Sequence, residues 1–392
     1  MQGRSRSRAA GPSLLTEARR VVVKVGSALL VDQASGRLNR AWLEALAQDL
    51  GRMRRRGQQL ILVSSGAIAL GRRQLGLTKG ALALEQKQAA AAIGQIRLAH
   101  AYKELLEDEH TAVAQVLLTL QDSEQRRRYL NARATLNALL ELGAIPVINE
   151  NDTVATTEIR YGDNDRLAAR VAQMASADCL VLLSDVDGLY ASDPNLDPAA
   201  EFIPEVRGIT PRIEAMAGAS ASDVGSGGMA TKIAAARIAL EAGCHMCIAA
   251  GHQLHPLKRV EGGARCTWFI PSATPATARK QWISGSLQPA GILTIDEGAA
   301  GALRRGRSLL PAGITAVGGT FERGDAVDVI DGRGRMVARG LSAYSSADVA
   351  RIKGRRSGEI EQLVGFRGRD EVVHRDDLVL RTDAQETGVA ET

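Results

Sequence analysis

The segment of this sequence most clearly suited to chemistry is a glycine-dense loop that ends in a lysine. Residues 225–232 read Gly-Ser-Gly-Gly-Met-Ala-Thr-Lys and lead directly into an apolar helical pattern from Ile233 to Ala242. Glycines let successive backbone N–H groups point into one concavity, and the helix start and the lysine both add positive charge. The spacing is not that of the common P-loop, in which the lysine follows a Gly-x-x-x-x-Gly frame. The loop therefore predicts a phosphate site, and a glycine-rich surface turn is the alternative.

A second lysine lies at the end of a predicted strand near the N-terminus. Residues 20–25 read Arg-Val-Val-Val-Lys-Val, the pattern of a strand that is buried on both faces, and Gly26 and Ser27 follow it. Ligands bind at the carboxyl ends of the strands in an open parallel sheet. Lys24 and Lys232 would then place charge on both sides of a transferring phosphoryl group. The alternative is that Lys24 only extends from the strand end into water.

Four further segments place polar groups at strand or helix ends. They are Ser-Ser-Gly at 64–66, Asn-Glu-Asn-Asp at 149–152, Gly-Asp-Asn-Asp at 162–165 and Ser-Asp-Val-Asp-Gly at 184–188. Each of them alone is consistent with ordinary turns and helix caps. Because parallel strands bring their carboxyl ends to one edge of a sheet, the segments together predict a single site at that edge.

The elements that must position these groups alternate between strands and helices. Apolar runs predict strands near 20–25, 59–64, 112–118, 144–149, 178–184 and 245–250. Helical patterns separate them, including a long alanine-rich helix from Leu82 to Glu109. This βαβ rhythm predicts an α/β fold with a mainly parallel sheet sandwiched by helices.

The pattern changes after a Pro/Ser/Thr/Ala-rich stretch that follows residue 271. Short apolar segments divided by glycine, at 291–296, 308–314, 325–330 and 336–341, predict a small β-rich, barrel-like domain. We expect five parts, which are a disordered tail at 1–14, a catalytic domain at 15–275, a linker at 276–289, the β-rich domain at 290–375 and a tail at 376–392.

Composition limits the class of protein. The chain has 392 residues, of which 45% are hydrophobic and 3% aromatic, and its formal net charge is +5. No apolar run reaches the roughly 20 residues of a membrane span, so we expect no membrane association and a cytoplasmic location. Cys244 and Cys247 stand at C-x-x-C spacing, but no second Cys or His pair follows at zinc spacing. We therefore expect buried, reduced thiols and no metal site.

In their order along the chain, these motifs resemble those of the amino acid kinase family. The matching segments are Val-Lys-Val-Gly-Ser at 23–27, Val-Ser-Ser-Gly-Ala-Ile at 63–68, Val-Ile-Asn-Glu-Asn-Asp at 147–152, Gly-Asp-Asn-Asp at 162–165, Ser-Asp-Val-Asp-Gly-Leu-Tyr at 184–190 and Gly-Gly-Met-Ala-Thr-Lys at 227–232. The Asn-Glu-Asn-Asp and Gly-Asp-Asn-Asp pair resembles the members that phosphorylate the side-chain carboxylate of L-glutamate, the first step of proline biosynthesis. Leu-Leu-Pro-x-Gly-Ile and Phe-x-Arg-Gly-Asp-x-Val, after residue 308, resemble the PUA domain.

The resemblance implies a role for each motif. Lys24 and Lys232 are implied to contact the transferring phosphate, and Asp165 to hold both lysines in position. The residues implied to bind ATP are Lys24, Ser184, Asp185, Ser226, Gly227, Gly228, Met229, Ala230, Thr231 and Lys232, and those implied to bind glutamate are Ser65, Gly66, Asp152 and Asn164. Mg²⁺ is expected to arrive on the ATP phosphates without dedicated protein ligands. Ser184 stands where the family often has threonine, and Arg160 stands where lysine is common, in a loop associated with substrate and with proline.

The resemblance also implies partners. We expect proline as a feedback inhibitor, a homo-oligomer, and contact with glutamyl phosphate reductase, because the acyl phosphate product is unstable. RNA binding is not expected, since residues 289–375 carry 14 Lys and Arg against 11 Asp and Glu. The alternatives are another amino acid kinase, such as an aspartate or uridylate enzyme, and an RNA-binding or RNA-modifying protein led by the PUA-like domain.

Overall fold

The computed structural model divides into two compact units, Met1–Pro275 and Ala276–Thr392. The residues that it describes are 13–32, 37–77, 80–155, 163–194, 196–217, 228–285, 288–366 and 368–381. Most of the expected N-terminal tail lies outside these residues, but Leu14 already begins the first helix, which Ser13 caps by accepting a hydrogen bond from the Thr16 N–H.

The first unit contains ten strands and eleven helices among the described residues. The strands are β1 (Arg20–Val25), β2 (Gln59–Ser64), β3 (Val113–Leu118), β4 (Ile145–Glu150), β5 (Cys179–Ser184), β6 (Leu189–Tyr190), β7 (Phe202–Ile203), β8 (Glu205–Val206), β9 (His245–Ala250) and β10 (Cys266–Phe269). The helices are α1 (Leu14–Glu17), α2 (Ser27–Leu30), α3 (Arg40–Arg55), α4 (Ala67–Gln74), α5 (Leu84–Glu107), α6 (Leu120–Glu124), α7 (Arg126–Glu141), α8 (Asn164–Ala175), α9 (Pro211–Met216), α10 (Met229–Glu241) and α11 (Pro256–Glu261).

An eight-stranded sheet with the order β3-β4-β2-β1-β5-β9-β10-β8 forms the centre of this unit. Neighbouring strands run parallel except β9 and β10. All six predicted strands are confirmed as β1 to β5 and β9, with ends that differ by no more than one residue. The expected α/β class is therefore confirmed.

Strand β1 lies between β2 and β5, so its carboxyl end opens onto the middle of the sheet edge. Val21, Val23 and Val25 pack into the apolar layer on one face of the sheet, and Val22 packs into the layer on the other. Successive side chains of a strand point to opposite faces, which places Lys24 on the same face as Val22. Helices α7, α8 and α10 cover that face.

Helices α4 and α5 cross with their backbones in direct contact. Gly71 of α4 faces Ala90 of α5, and Gly94 of α5 faces Ala67 of α4. A Cβ atom at either glycine would overlap the carbonyl oxygen of the residue that it faces. Glycine costs about 1 kcal/mol relative to alanine inside a helix, so the close crossing explains its presence at both positions. The crossing brings α5 against the start of α4, which follows directly from β2.

The second unit contains a five-stranded sheet with the order β12-β11-β13-β14-β15. The strands are β11 (Gly291–Ile295), β12 (Ile314–Gly319), β13 (Ala326–Asp331), β14 (Met336–Leu341) and β15 (Leu378–Leu380), and the helices are α12 (Pro275–Gly285), which starts at the last residue of the first unit, α13 (Glu297–Arg304), α14 (Ser346–Ile352) and α15 (Ile360–Val364). Only β11 and β13 pair in parallel. The prediction of a small β-rich domain is confirmed.

Three details of this unit differ from the sequence prediction. The expected strand at 308–314 is instead a bridge at Leu309 and a 3-10 turn at Pro311–Gly313, because proline has no N–H to donate to a ladder. The expected linker forms α12, and the expected tail continues as β15, which pairs with β14. Arg279 of α12 donates two hydrogen bonds to Asp377, at 2.9 and 2.6 Å, and both side chains are buried. This ion pair joins the two segments to each other within the second unit.

The four cysteines are free thiols, and three of them are buried. Cys244 belongs to the apolar layer on one face of the large sheet and Cys247 to the layer on the other, so the two side chains of the C-x-x-C spacing do not converge. Burial raises the pKa of both thiols well above the ordinary range. The expectation of buried, reduced thiols is confirmed for this pair.

No helix in the described part of the chain is both long enough and apolar enough to cross a membrane.

Gly94→Ala tests the helix crossing. The new methyl group would force α4 and α5 apart, and we expect a loss of unfolding free energy of about 1–3 kcal/mol or more, measured by urea titration. Gly301→Ala in α13 is the matched control, since a Cβ there meets only the end of the flexible Arg305 side chain. That control is expected to be neutral or stabilising, and equal destabilisation of both variants would contradict the crossing as the cause.

Candidate active site

A cleft of about 490 Å³ opens at the carboxyl edge of the large sheet. Eight of the predicted site residues line it, namely Lys24, Ser65, Gly66, Asp152, Asn164, Ser184, Asp185 and Lys232. Asp165 lies beneath this surface and is fully buried. Gly228, Met229, Ala230 and Thr231 lie at the start of α10, just before Lys232. Ser226, Gly227 and Arg160 fall outside the described residues.

Asp165 joins the two predicted catalytic lysines. Its Oδ1 atom lies 2.5 Å from Lys24 Nζ, and its Oδ2 atom lies 3.3 Å from Lys232 Nζ. The exposed fraction is 0% for Asp165, 8% for Lys24 and 4% for Lys232. Lysine and aspartate are rarely buried to this extent unless they are paired. The sequence separations are large, so the fold brings the three charges together.

The two lysines determine the charge state of Asp165. Burial alone would raise the pKa of this carboxyl group, but the positive charges of Lys24 and Lys232 outweigh that effect and lower the pKa below its ordinary value of 3.8. Asp165 is therefore a carboxylate at neutral pH. Within this cluster of three residues, two ammonium groups face one carboxylate at the floor of the cleft.

Each member of this cluster is positioned by the start or end of a regular element. Lys24 is the penultimate residue of β1, and Asp165 is the second residue of α8, whose N-cap Asp163 accepts a hydrogen bond from the Arg166 N–H at 2.8 Å. Lys232 is in the first turn of α10. An N-cap of this kind stabilises a helix by about 1 kcal/mol, and it fixes where α8 begins.

Thr231 also contacts the cluster. Its hydroxyl group lies 3.1 Å from Asp165 Oδ2 and 2.7 Å from the backbone oxygen of Gly228. The resemblance implied only an ATP contact for Thr231, so its bond to Asp165 is a feature that the sequence did not reveal. Gly228 is the N-cap of α10, and a Cβ there would meet open space, so the backbone at this helix start is open to approach.

A network of side-chain amides forms the other wall of the cleft. The two hydrogens of Asn164 Nδ2 are shared among three acceptors, which are Ser65 Oγ at 2.7 Å, the Ser64 backbone oxygen at 3.2 Å and Asn149 Oδ1 at 3.1 Å. Asn149 Nδ2 in turn donates to Gln95 Oε1 at 2.8 Å. The Asn-Glu-Asn-Asp and Gly-Asp-Asn-Asp motifs therefore meet through the bond between Asn149 and Asn164.

Gly66 is the N-cap of α4 at this wall, and its backbone conformation favours glycine at that position. Its φ angle is +100°, a left-handed backbone conformation that residues with a Cβ rarely adopt. On the opposite side of the cleft, Ser184 donates a hydrogen bond to Asp185 Oδ1 at 2.8 Å at the end of β5. Both of these residues face the space above the lysine cluster, in agreement with their predicted place at the sheet edge.

Helix α5 supplies a row of polar contacts that sequence analysis missed. Gln88 donates to the Ala155 backbone oxygen at 3.1 Å, Gln95 accepts from Asn149, and the Tyr102 hydroxyl lies 3.0 Å from Ser64 Oγ. The three residues are spaced seven apart, so they share one face of the helix. The signal that could have revealed them is this spacing of polar residues on the face that packs toward the sheet.

Within the described residues, no three His, Cys, Asp or Glu side chains converge as a metal site would require. The acidic residues that line the cleft are Glu150, Asp152, Asp163 and Asp185.

The model of the amino acid kinase family matches residues 19–250, more than half of the chain and every residue that lines the cleft. The chain belongs to the amino acid kinase family. The model of the PUA domain matches residues 291–364, within the second unit. This amino acid kinase therefore carries an appended PUA domain, as its sequence motifs indicated.

Curated relatives of this amino acid kinase align over nearly its whole length. The glutamate 5-kinase of Paramagnetospirillum magneticum is 64% identical over 368 residues, which cover 94% of this chain and 99% of the relative. The glutamate 5-kinase of Sinorhizobium fredii is 58% identical over 366 residues, 93% of each chain. Among solved structures, carbamate kinase from Giardia lamblia is 16% identical with a TM-score of 0.49, and the match covers 66% of this chain and 100% of that one.

Asp165→Asn tests whether the carboxylate is needed to bury the two lysines. Removing one member of a buried ion pair typically costs about 3–5 kcal/mol, so we expect a comparable loss of unfolding free energy at pH 7. Asp163→Asn is the control for stability, because asparagine caps a helix about as well as aspartate.

We also expect the effect of Asp165→Asn on the unfolding free energy to depend on pH. A carboxyl group with a lowered folded-state pKa contributes stability above its unfolded-state pKa and loses it as the pH falls toward the folded-state value. The difference in unfolding free energy between wild type and Asp165→Asn should therefore be largest above about pH 4 and should decrease below it. A difference that is absent at pH 7, or that increases in acid, would contradict the assignment.

Proposed function

We propose that this chain catalyses the reaction of a glutamate 5-kinase. It transfers the γ-phosphoryl group of ATP to the side-chain carboxylate of L-glutamate and forms L-glutamyl 5-phosphate, the first step of proline biosynthesis. The observation that carries the proposal is the buried cluster of Lys24, Asp165 and Lys232 at the floor of the cleft. The identity and coverage of the relatives named glutamate 5-kinase support glutamate as the acceptor.

The cluster provides what this phosphoryl transfer requires. A carboxylate must approach an anionic phosphate, and negative charge spreads over the phosphoryl oxygens in the transition state. The ammonium groups of Lys24 and Lys232 suit an anionic group, and fixed charges in a buried site act without reorganisation. Asp165 holds both ammonium groups in position, so each can contact a different side of the phosphoryl group.

The nucleotide side of the cleft fits ATP. The start of α10 offers backbone N–H groups that suit a phosphate, and residues 228–232 contact the phosphates in this proposal, together with Ser226 and Gly227, which lie outside the described residues. Ser184 and Asp185, at the end of β5, bind the rest of the nucleotide. ATP supplies the phosphoryl group when it is bound, and Mg²⁺ enters on its phosphates, consistent with the usual preference of Mg²⁺ for substrate phosphates and one or two carboxylates.

The amide wall binds glutamate in this proposal. Asn164 and Ser65 hydrogen-bond the amino acid, and Gly66 allows its close approach at the start of α4. Asp152 accepts hydrogen bonds from the substrate ammonium group. The glutamate side chain then points toward Lys24 and Lys232, where its carboxylate meets the phosphate.

Two observations favour this reaction over the alternatives. The two motifs that distinguish the glutamate-directed branch from aspartate and uridylate kinases are joined by the hydrogen bond between Asn164 and Asn149. An RNA-modifying enzyme would need a site for base chemistry, whereas the chemical groups at the sheet edge suit phosphoryl transfer. RNA binding by the second unit is therefore not proposed.

Regulation and assembly complete the proposal. Proline, the product of the pathway, inhibits the enzyme, and the protein acts in the cytoplasm as a homo-oligomer. Glutamyl phosphate reductase receives the acyl phosphate by direct contact, because this product hydrolyses and cyclises readily. The second unit serves regulation or assembly.

The proposal is tested by trapping the acyl phosphate with hydroxylamine. Wild-type protein, ATP and Mg²⁺ should give hydroxamate with L-glutamate but not with L-aspartate. Lys232→Met should lower kcat by about 10²–10³-fold, because it removes a charge that acts mainly in the transition state but keeps most of the side-chain volume. Lys258→Met, at an exposed lysine of α11, is the matched control and should keep wild-type turnover. Product from aspartate alone, or normal turnover in folded Lys232→Met, would refute the proposal.

Truncation after Pro275 tests the division of labour between the two units. Every group proposed for catalysis lies before that residue, and α12 belongs to the second unit, so the shorter protein should still form hydroxamate from glutamate. The change should appear as altered proline inhibition or a different sedimentation coefficient. A folded but inactive truncated protein would mean that the second unit contributes to the site.

A further inference from the structure

The glutamate side of the cleft depends on a glutamine that does not line it. Gln95 is buried on α5, and its Oε1 atom accepts a hydrogen bond from Asn149 Nδ2 at 2.8 Å. Asn149 is also buried, and it in turn accepts a hydrogen bond from Asn164, which faces the cleft. Asn149 and Asn164 both line the cleft, so Gln95 is one hydrogen bond away from it through Asn149 and two through Asn164.

Backbone groups fix the direction of this chain of amides. The Glu150 N–H donates to Asn149 at 2.9 Å, and a backbone N–H can only be a donor, so the atom that it meets must be Oδ1. The other end of the Asn149 amide is then Nδ2, which needs an acceptor. Gln95 Oε1 supplies that acceptor in an otherwise buried position.

The orientation of Asn164 is fixed in the same way. The Ser64 backbone oxygen can only accept, so the Asn164 atom that meets it must be Nδ2. This NH₂ group also contacts Ser65 Oγ and Asn149 Oδ1. Among the described residues, none donates to Asn164 Oδ1. The network therefore leaves a carbonyl oxygen on the cleft wall for a donor such as the ammonium group of an amino acid.

Gln95 is itself held at a rigid place in the fold. It follows Gly94, the residue at which the α5 backbone contacts α4. Tyr102, two turns along the same face, contacts Ser64 at the end of β2. Helix α5 thus holds the ends of β2 and β4 at the spacing that the Asn149–Asn164 bond needs.

We infer that Gln95 is a positioning residue for the amino acid substrate, which acts through Asn149 to hold the carbonyl oxygen of Asn164 toward the substrate ammonium group. This inference rests on the proposed function for the identity of the substrate. Without the Gln95 acceptor, the buried NH₂ group of Asn149 has no partner, and Asn149 moves to find one. Asn164 then loses one of the three contacts that orient it.

Two substitutions at Gln95 separate the acceptor from the volume of the side chain. Gln95→Met keeps a similar volume but removes the acceptor, and it should raise KM for glutamate about tenfold while KM for ATP stays unchanged. Gln95→Glu keeps an acceptor oxygen. Gln95 Nε2 has no hydrogen-bond partner among the described residues, so the change to Glu removes no donor that is in use. KM for glutamate should then return close to the wild-type value.

The control is Gln74→Met, the same substitution at an exposed position of α4, which should leave both KM values unchanged. Circular dichroism checks that each protein is folded. If Gln95→Met does not fold, Gln95→Asn replaces it, because this variant keeps the amide but withdraws it by one methylene and should give the same selective rise.

A wild-type KM for glutamate in the folded Gln95→Met or Gln95→Asn protein, or an equal rise in KM for ATP, would overturn the inference. Failure of the proposed function looks different, because the wild-type protein would then make no hydroxamate from glutamate. In that case calorimetric titration measures the affinity of wild type and Gln95→Met for glutamate, which tests the positioning role without catalysis. Equal affinity of the two proteins would overturn the inference.

Discussion

The rest of the site depends on one buried carboxylate that forms ion pairs with two ammonium groups. Asp165 contacts both Lys24 and Lys232, so the fold must exclude most water from three charges. Burying such charges is costly unless they are paired with good geometry. This requirement explains why β1 is central in the sheet and why α8 and α10 begin at the same edge. If a phosphate binds at these lysines, as proposed, the cluster links the stability of the fold to the binding of an anion.

The start of α8 connects the two halves of the cleft. Asn164 and Asp165 are consecutive residues, yet the first joins the amide network toward Asn149 and Ser65, and the second joins the lysine cluster. One half is positioned by neutral hydrogen bonds and the other by ion pairs. Because both halves begin from a single capped helix start, the backbone of α8 sets the distance between the amide network and the lysine cluster. Proximity and orientation of this kind account for a large part of the rate that a phosphoryl-transfer enzyme achieves.

Local patterns were sufficient to predict much of the fold. Valine-rich runs predicted the parallel strands, and polar residues that follow them predicted the edge where Lys24, Ser65, Asn164 and Ser184 converge. The parts that sequence analysis missed depend on contacts between distant segments. Gln95 occurs in an alanine-rich helix with no local signal of function, and only the Gly71–Gly94 crossing brings it to Asn149. The strand at Leu378–Leu380 was expected in a tail, because pairing with β14 and the Arg279–Asp377 bond are not apparent from composition.

The central claim is that Lys24 and Lys232 act together on the transferring phosphoryl group. The most direct measurement is a crystal structure with Mg²⁺, ADP, aluminium fluoride and L-glutamate, in which the metal fluoride represents the phosphoryl group in flight. We expect both Nζ atoms within about 3 Å of fluoride atoms, while Asp165 remains between the lysines. A metal fluoride bound elsewhere in the cleft, with one or both lysines in contact with Asp165 alone, would contradict the account.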